Sequence, residues 1–151
     1  MTQVNAASRA LWLFGWLVIA RRVQMASVQQ SRGNPIVVIV DDDPAIRSSL
    51  VFSLHSEGIT GLAFANGGDA LKDARALRAG CFVIDYKLPG MNGLDLLAEL
   101  RRRHVAAPAI LITTHPSTAV RERAAVTGTA LIEKPLLGDA LFQEIRAALA
   151  V

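Results

Sequence analysis

Cysteine is nearly missing from this chain of 151 residues: Cys81 stands alone, so neither a disulfide nor a cysteine-ligated metal centre can be drawn. Its setting in the apolar run Cys81–Ile84 marks it as a buried core thiol, and nothing argues for an oxidising compartment. Acidic residues are missing from positions 1–33, which hold Arg9, Arg21, Arg22 and Arg32. The formal charge of +3 therefore belongs to that stretch, because the rest carries 12 basic against 13 acidic side chains, or −1. A nearly neutral globular part lacks the footprint of a nucleic-acid binder, and no direct nucleic-acid binding is expected. A membrane-spanning run is missing from the leader: residues 10–20 are apolar but bracketed by Arg9 and Arg21-Arg22. As a helix these 11 residues span roughly 16 Å, against a hydrocarbon core of about 30 Å.

What is present is an alternation of short apolar runs and amphipathic stretches from Pro35 onward, the pattern of βα units around a parallel sheet. Residues 34–151 fit one domain of ordinary size, with 1–33 as a leader. Ile36–Val40 reads as a strand buried on both faces. Asp43 and Pro44 then supply an N-cap and a first helical residue, and Ile46, Leu50 and Leu54 recur at helical spacing until Gly58. A weaker strand is expected at Leu62–Ala65, followed by a helix setting Ala70, Ala74 and Leu77 on one face and closed by Gly80. Cys81–Ile84 forms a third strand, and Leu94–Arg103 a helix burying Leu94, Leu97 and Leu100. Its last residues, Arg101-Arg102-Arg103-His104, read as a solvated end matched to the helix dipole. A fourth strand at Ala109–Ile112, a poorly patterned helix around Ala119–Val126, a fifth strand at Ala130–Ile132 and a helix with Leu141, Ile145 and Leu149 inward complete five strands and five helices. Right-handed crossovers place helices on both faces of the sheet.

Polar residues interrupt this grammar at particular places: Asp41 and Asp42 after the first strand, Asp85 after the third, Thr113 after the fourth, Lys134 after the fifth. In an open parallel sheet all strand carboxyl ends share one edge, where ligands bind near the topological switch point. Singly, each has a plain explanation, a helix cap, a turn or a surface lysine. Clustered, two carboxylates about 4 Å apart repel by about 4 kcal/mol at an effective dielectric near 20, so three together invite a divalent cation. Oxygen-only donors favour Mg²⁺.

At these residues the chain resembles the receiver domains of bacterial two-component response regulators, over residues 35–150. The matching pieces are Val40-Asp41-Asp42-Asp43-Pro44, Asp85 with Leu88-Pro89-Gly90-Met91-Asn92-Gly93, Ile112-Thr113, and Glu133-Lys134-Pro135. The resemblance implies a flavodoxin-like, doubly wound α/β fold of five parallel strands in order 2-1-3-4-5. It implies that Asp85 takes a phosphoryl group from a phosphohistidine, on a sensor histidine kinase or a histidine phosphotransfer protein. Asp42, Asp85 and the Lys87 carbonyl would bind Mg²⁺ directly, and Asp41 through water. Lys134 and Thr113 would contact the phosphoryl oxygens, where positioning and charge neutralisation contribute most of the catalysis. The Lys134-Pro135 bond would be cis. The signal would leave through helix four, strand five and helix five to a downstream protein, with phosphorylation-linked homodimerisation among the partner expectations and a cytoplasmic location. Leu131, three before Lys134, departs from the family's switching Tyr or Phe. Lys87 and His115 occupy positions where side chains tune phosphoryl lifetime in relatives.

Two other functions compete. Asp41-Asp42-Asp43 also satisfies the Asp-x-Asp of haloacid-dehalogenase-type phosphatases, with Asp41 as nucleophile and Asp43 as acid. Against it, Ala45 stands where threonine or valine is usual, no acidic pair follows Lys134, and Asp85 goes unexplained. A non-phosphorylated interaction module on the same fold is the third reading, opposed by the intact set of five polar residues. For the leader, secretion is rejected, since basic residues follow the apolar run directly and export would part the domain from cytosolic kinases. An interfacial anchor bearing Trp12 and Trp16 is one reading, with membrane contact only through it. The preferred one is translation from Met25.

Overall fold

The computed structural model describes residues 33–150. Five strands and five α-helices alternate among them: β1 (Ile36–Val40), α1 (Pro44–Ser56), β2 (Thr60–Phe64), α2 (Gly67–Lys72), β3 (Cys81–Asp85), α3 (Gly93–Arg102), β4 (Ala109–Thr113), α4 (Thr118–Val126), β5 (Ala130–Glu133) and α5 (Ala140–Leu149). All strand pairs are parallel and the order is β2-β1-β3-β4-β5, as expected from the sequence. The readings of residues 1–24 lie outside the described residues.

The central strands β1, β3 and β4 are continuously apolar because both of their faces are covered. On one face Val38, Val40, Phe82, Ile84 and Leu111 pack with Leu71, Leu94, Leu97 and Val120 from α2, α3 and α4. On the other, Val37, Ile39, Val83, Ile110 and Ile112 pack with Leu50 and Leu54 of α1 and Leu141 and Ile145 of α5. Cys81 lies in this second layer, fully buried, and burial pushes its thiol up to about 12, which leaves it inert as a nucleophile at neutral pH. Helix α1 begins as its residues dictate: the Asp43 carboxylate accepts from the Ala45 amide at 2.9 Å and Pro44 takes the first position. After its last residue, Ser56, the chain is turned off the helix at Gly58, whose φ of 74° lets the Ile59 amide reach back to the Leu54 carbonyl at 2.9 Å.

Two expectations need correction. The second strand starts at Thr60 and not at Leu62, because its register against β1, Ile36 to Thr60 and Val40 to Phe64, and not its own weak apolar pattern, sets its length. The helix expected to run through Leu77 stops at Lys72, and only a single 3₁₀ turn, Ala76–Arg78, follows. Asp73 is the cause: its carboxylate accepts from the Arg75 amide at 2.8 Å and pairs with the Arg75 guanidinium at 2.7 Å, a local alternative to the helical ladder. Ala74, expected inside, is exposed, and Ala76 is buried in its stead.

Candidate functional site

The chain leaves β1 outward to β2 and returns to the other side of β1 as β3, so the carboxyl ends of β1 and β3 flank the switch point of the sheet. Asp41 follows β1 directly and Asp85 is the last residue of β3; they are 0 % and 5 % exposed. Asp42, beside them, is exposed. Oxygens of these three carboxylates lie within 4.8 Å of one another.

Lys134 holds this cluster together. Its ammonium donates to Asp41 Oδ2 at 2.9 Å and approaches Asp85 Oδ2 at 3.2 Å, across a cis Lys134-Pro135 peptide. Its own amide donates to the Thr113 carbonyl at 2.8 Å, which ties the end of β5 to the end of β4. Asp41 is oriented further by the Asp43 amide on Oδ1 at 2.8 Å, and its carbonyl accepts from Arg47 at 2.7 Å. Asp85 Oδ1 accepts from the Lys87 amide at 3.3 Å, whereas the Lys87 side chain faces solvent. Burial lifts the Asp85 carboxyl above its ordinary value; Lys134 pulls against that lift and the Asp41 charge adds to it. Burial works against the Lys134 ammonium too, but the hydrogen bond and charge of Asp41, followed by Asp85, outweigh it and leave its pKa raised.

Thr113 ends β4 at the same edge, fully buried, and its hydroxyl has no hydrogen-bond partner. A buried unpartnered hydroxyl costs on the order of 1–3 kcal/mol, so Thr113 is an unsatisfied polar group at the edge of the carboxylate cluster. Beside it, Glu133 receives Arg121 of α4 at 3.1 Å and lies 3.6 Å from His115, whose φ of 47° is left-handed. Leu131 packs, partly buried, against the core that contains Leu111 and Val120.

The structure thus brings together Asp41, Asp42, Asp85 and Lys134, and sets Thr113 at their edge. Asp43 is engaged elsewhere, capping α1, and stands outside the carboxylate cluster, which removes the second acid that a dehalogenase-type site needs. The oxygen-only donor set together with the orphaned Thr113 hydroxyl fits a Mg²⁺-assisted phosphoryl site. One contributor escaped the sequence reading: Arg47 braces the Asp41 backbone, and nothing local marks it. Gly93, part of the loop motif read in the sequence, gains a reason: an added Cβ there would lie 2.5 Å from the Asp85 carbonyl oxygen, so the loop after β3 closes against the site only with glycine.

Comparison with known proteins decides the family. The family model described as the response regulator receiver domain matches residues 37–146. The chain belongs to the response regulator receiver domains. Among curated relatives it is similar to the transcriptional regulatory protein FixJ of Azorhizobium caulinodans, 35% identical over 114 residues, 75% of this chain and 54% of FixJ. It is also similar to the DNA-binding transcriptional regulator NtrC of Escherichia coli, 38% identical over 80 residues, 53% of this chain and 17% of NtrC. This receiver chain therefore spans about half the length of FixJ and under a fifth of NtrC. Among solved structures, a CheY-like receiver domain protein from Methanospirillum hungatei is 27% identical with a TM-score of 0.70, covering 78% of this chain and 94% of that one. The Vibrio cholerae chemotaxis protein CheY4, 24% identical, has a TM-score of 0.70 over 77% of this chain and 99% of its own, and shares the fold.

Proposed function

We propose that this receiver domain, residues 34–151, is a phosphorylation-dependent switch whose acceptor is Asp85. The observation that carries the reading is the trio of carboxylates within 4.8 Å of one another, two of them engaged by one lysine ammonium at 2.9 and 3.2 Å. A carboxylate oxygen of Asp85 attacks phosphorus, forming the P–O bond as the P–N bond to the donor histidine breaks. The donor is a sensor histidine kinase or a histidine phosphotransfer protein. Bound Mg²⁺ supplies neutralisation of the developing phosphoryl charge. Asp42, Asp85 and the Lys87 carbonyl are the groups to hold it, with Asp41 acting through water. The raised pKa of Lys134 keeps its ammonium charged for contact with the phosphoryl oxygens.

An acyl phosphate adds roughly −1.5 to −2 of charge and three acceptor oxygens, taking phosphoserine-like groups as the guide. It is the partner that the Thr113 hydroxyl lacks. Thr113 moves toward it, the loop to Ser117 follows, and the change reaches α4, β5 and α5, where a downstream protein reads it. Leu131 has no ring to swing, so the change stays mostly in that loop and α4. The location is cytoplasmic, in line with an ATP-dependent kinase as donor. The DNA-binding roles in the relatives' names belong to proteins much longer than this chain, and we assign it no direct nucleic-acid contact.

The test is incubation with acetyl phosphate and Mg²⁺, read by intact mass. Wild type should gain one phosphoryl group, Asp85→Asn none, and Asp42→Ala much less. Undiminished labelling of Asp85→Asn, or labelling lost in Asp41→Asn alone, would refute the assignment.

A further inference from the structure

The twelve basic side chains of residues 34–151 are not spread evenly. Lys72, Arg75, Arg78, Arg101, Arg102 and Arg103, half of them, gather at the last turns of α2 and α3 and the 3₁₀ turn between α2 and β3. One hydrogen bond joins the two ends, from Arg103 to the Leu71 carbonyl at 2.9 Å. Within the segments 72–78 and 99–103 that hold them only Asp73 and Glu99 are acidic, so these segments carry six basic against two acidic side chains, +4, and the remainder of residues 34–151 six against eleven, −5. Both acids are already taken, Asp73 by Arg75 at 2.7 Å and Glu99 by Arg102 and Arg103 at 2.7 and 2.8 Å. All six cations are exposed. A helix dipole accounts for one or two cations per last turn; it does not account for such segregation.

The place of this pole matters. Helix α3 starts beside the phosphorylation edge and ends at the opposite one, where β3 and β4 begin, and Gly80 donates to the Ile36 carbonyl at 2.9 Å as the chain enters β1 there. The basic pole thus lies at the amino edge of the sheet, opposite the carboxylate cluster.

We infer that this pole is a docking surface for an anionic lipid bilayer, holding the phosphorylation edge toward the aqueous side. A cluster of exposed cations is drawn to an anionic bilayer surface, each contributing about 1 kcal/mol near it. A nucleic acid fits less well: single strands need exposed aromatic faces for stacking, and the exposed large apolar side chains among the described residues, Phe52, Val126 and Leu137, lie outside the pole.

Vesicle flotation of the full chain tests this, with phosphatidylglycerol–phosphatidylcholine vesicles against pure phosphatidylcholine. Lys72 and Arg78, which make no ion pair or side-chain hydrogen bond among the described residues, are the positions to neutralise. Each cation near an anionic surface is worth about fivefold in binding, so Lys72→Gln/Arg78→Gln should lose on the order of 25-fold at low salt. Ala125→Glu/Ala147→Glu makes the same change in net charge on exposed positions of α4 and α5 and should lose much less. Circular dichroism checks that both variants fold. Equal binding to both vesicle types, equal loss in the two double variants, or no loss in Lys72→Gln/Arg78→Gln overturns the proposal, as does tight binding to duplex DNA with none to vesicles.

Discussion

Replacing Asp85 by asparagine should make the protein more stable, although it removes the acceptor. Carboxylate oxygens at most 4.8 Å apart repel by about 3.5 kcal/mol per pair at an effective dielectric near 20, and Asp85 has two such neighbours. Attraction to Lys134 at 3.2 Å returns about 5 kcal/mol on the same scale. The exposed Asp42 is the more screened neighbour, so the balance against an ionised Asp85 is about 1–2 kcal/mol, to which burial adds. Asparagine keeps the shape and an acceptor for Lys134 and drops the charge. In EDTA at pH 7, Asp85→Asn should therefore gain about 1–2 kcal/mol, or about 3–6 °C in the midpoint of thermal unfolding. The pH dependence follows from the sign of the shift. A carboxyl raised above its unfolded value binds its proton more tightly in the folded chain, so its cost is absent below the unfolded value of about 4 and complete once the pH passes the raised folded value. The advantage of Asp85→Asn should accordingly shrink as the solution is acidified, and saturating Mg²⁺ should narrow it at pH 7 by binding the wild-type cluster more tightly. Thermal denaturation followed by circular dichroism measures all three. A variant no more stable than wild type in EDTA, or a gain that persists undiminished at pH 4, would show that Asp85 is not held against its neighbours' charge.

Thr113→Ala should still be phosphorylated yet lose most of the change at residues 114–126 that beryllofluoride induces in wild type; hydrogen exchange of both proteins reads it. Gly93→Ala forces a Cβ to 2.5 Å from the Asp85 carbonyl and 2.9 Å from Leu111, and should cost about 2–3 kcal/mol in urea unfolding, with slower labelling of Asp85. Deleting residues 1–24 should leave the thermal midpoint and the labelling of Asp85 unchanged, because Asn34–Val151 forms a compact unit with its own core on both faces of the sheet.

The sequence by itself determined the order of elements and marked the residues that gather at one edge of the sheet as a candidate site, since both are written in local pattern. A strand buried on two faces must be continuously apolar, so a carboxylate at the end of Ile36–Val40 or Cys81–Ile84 stands out against it. The start of α1 was equally legible, because Asp43 and Pro44 act on the residues next to them. Where a competing local bond or a distant neighbour decides, the pattern misleads: Asp73 halts α2 through its own side chain, and β2 takes its bounds from β1. Only the tertiary structure decided what depends on contact between remote segments. Lys134 reaches Asp41 across 93 residues, and neither residue's surroundings in sequence encode the 2.9 Å between them. The unpartnered Thr113 hydroxyl is a property of the packing around it, as is the closeness of Gly93 to the Asp85 carbonyl. The same holds for charge. Arg101-Arg102-Arg103 read alone is a helix end matched to its dipole; it becomes half of a basic pole because the fold lays Arg103 against the carbonyl of Leu71, 32 residues earlier.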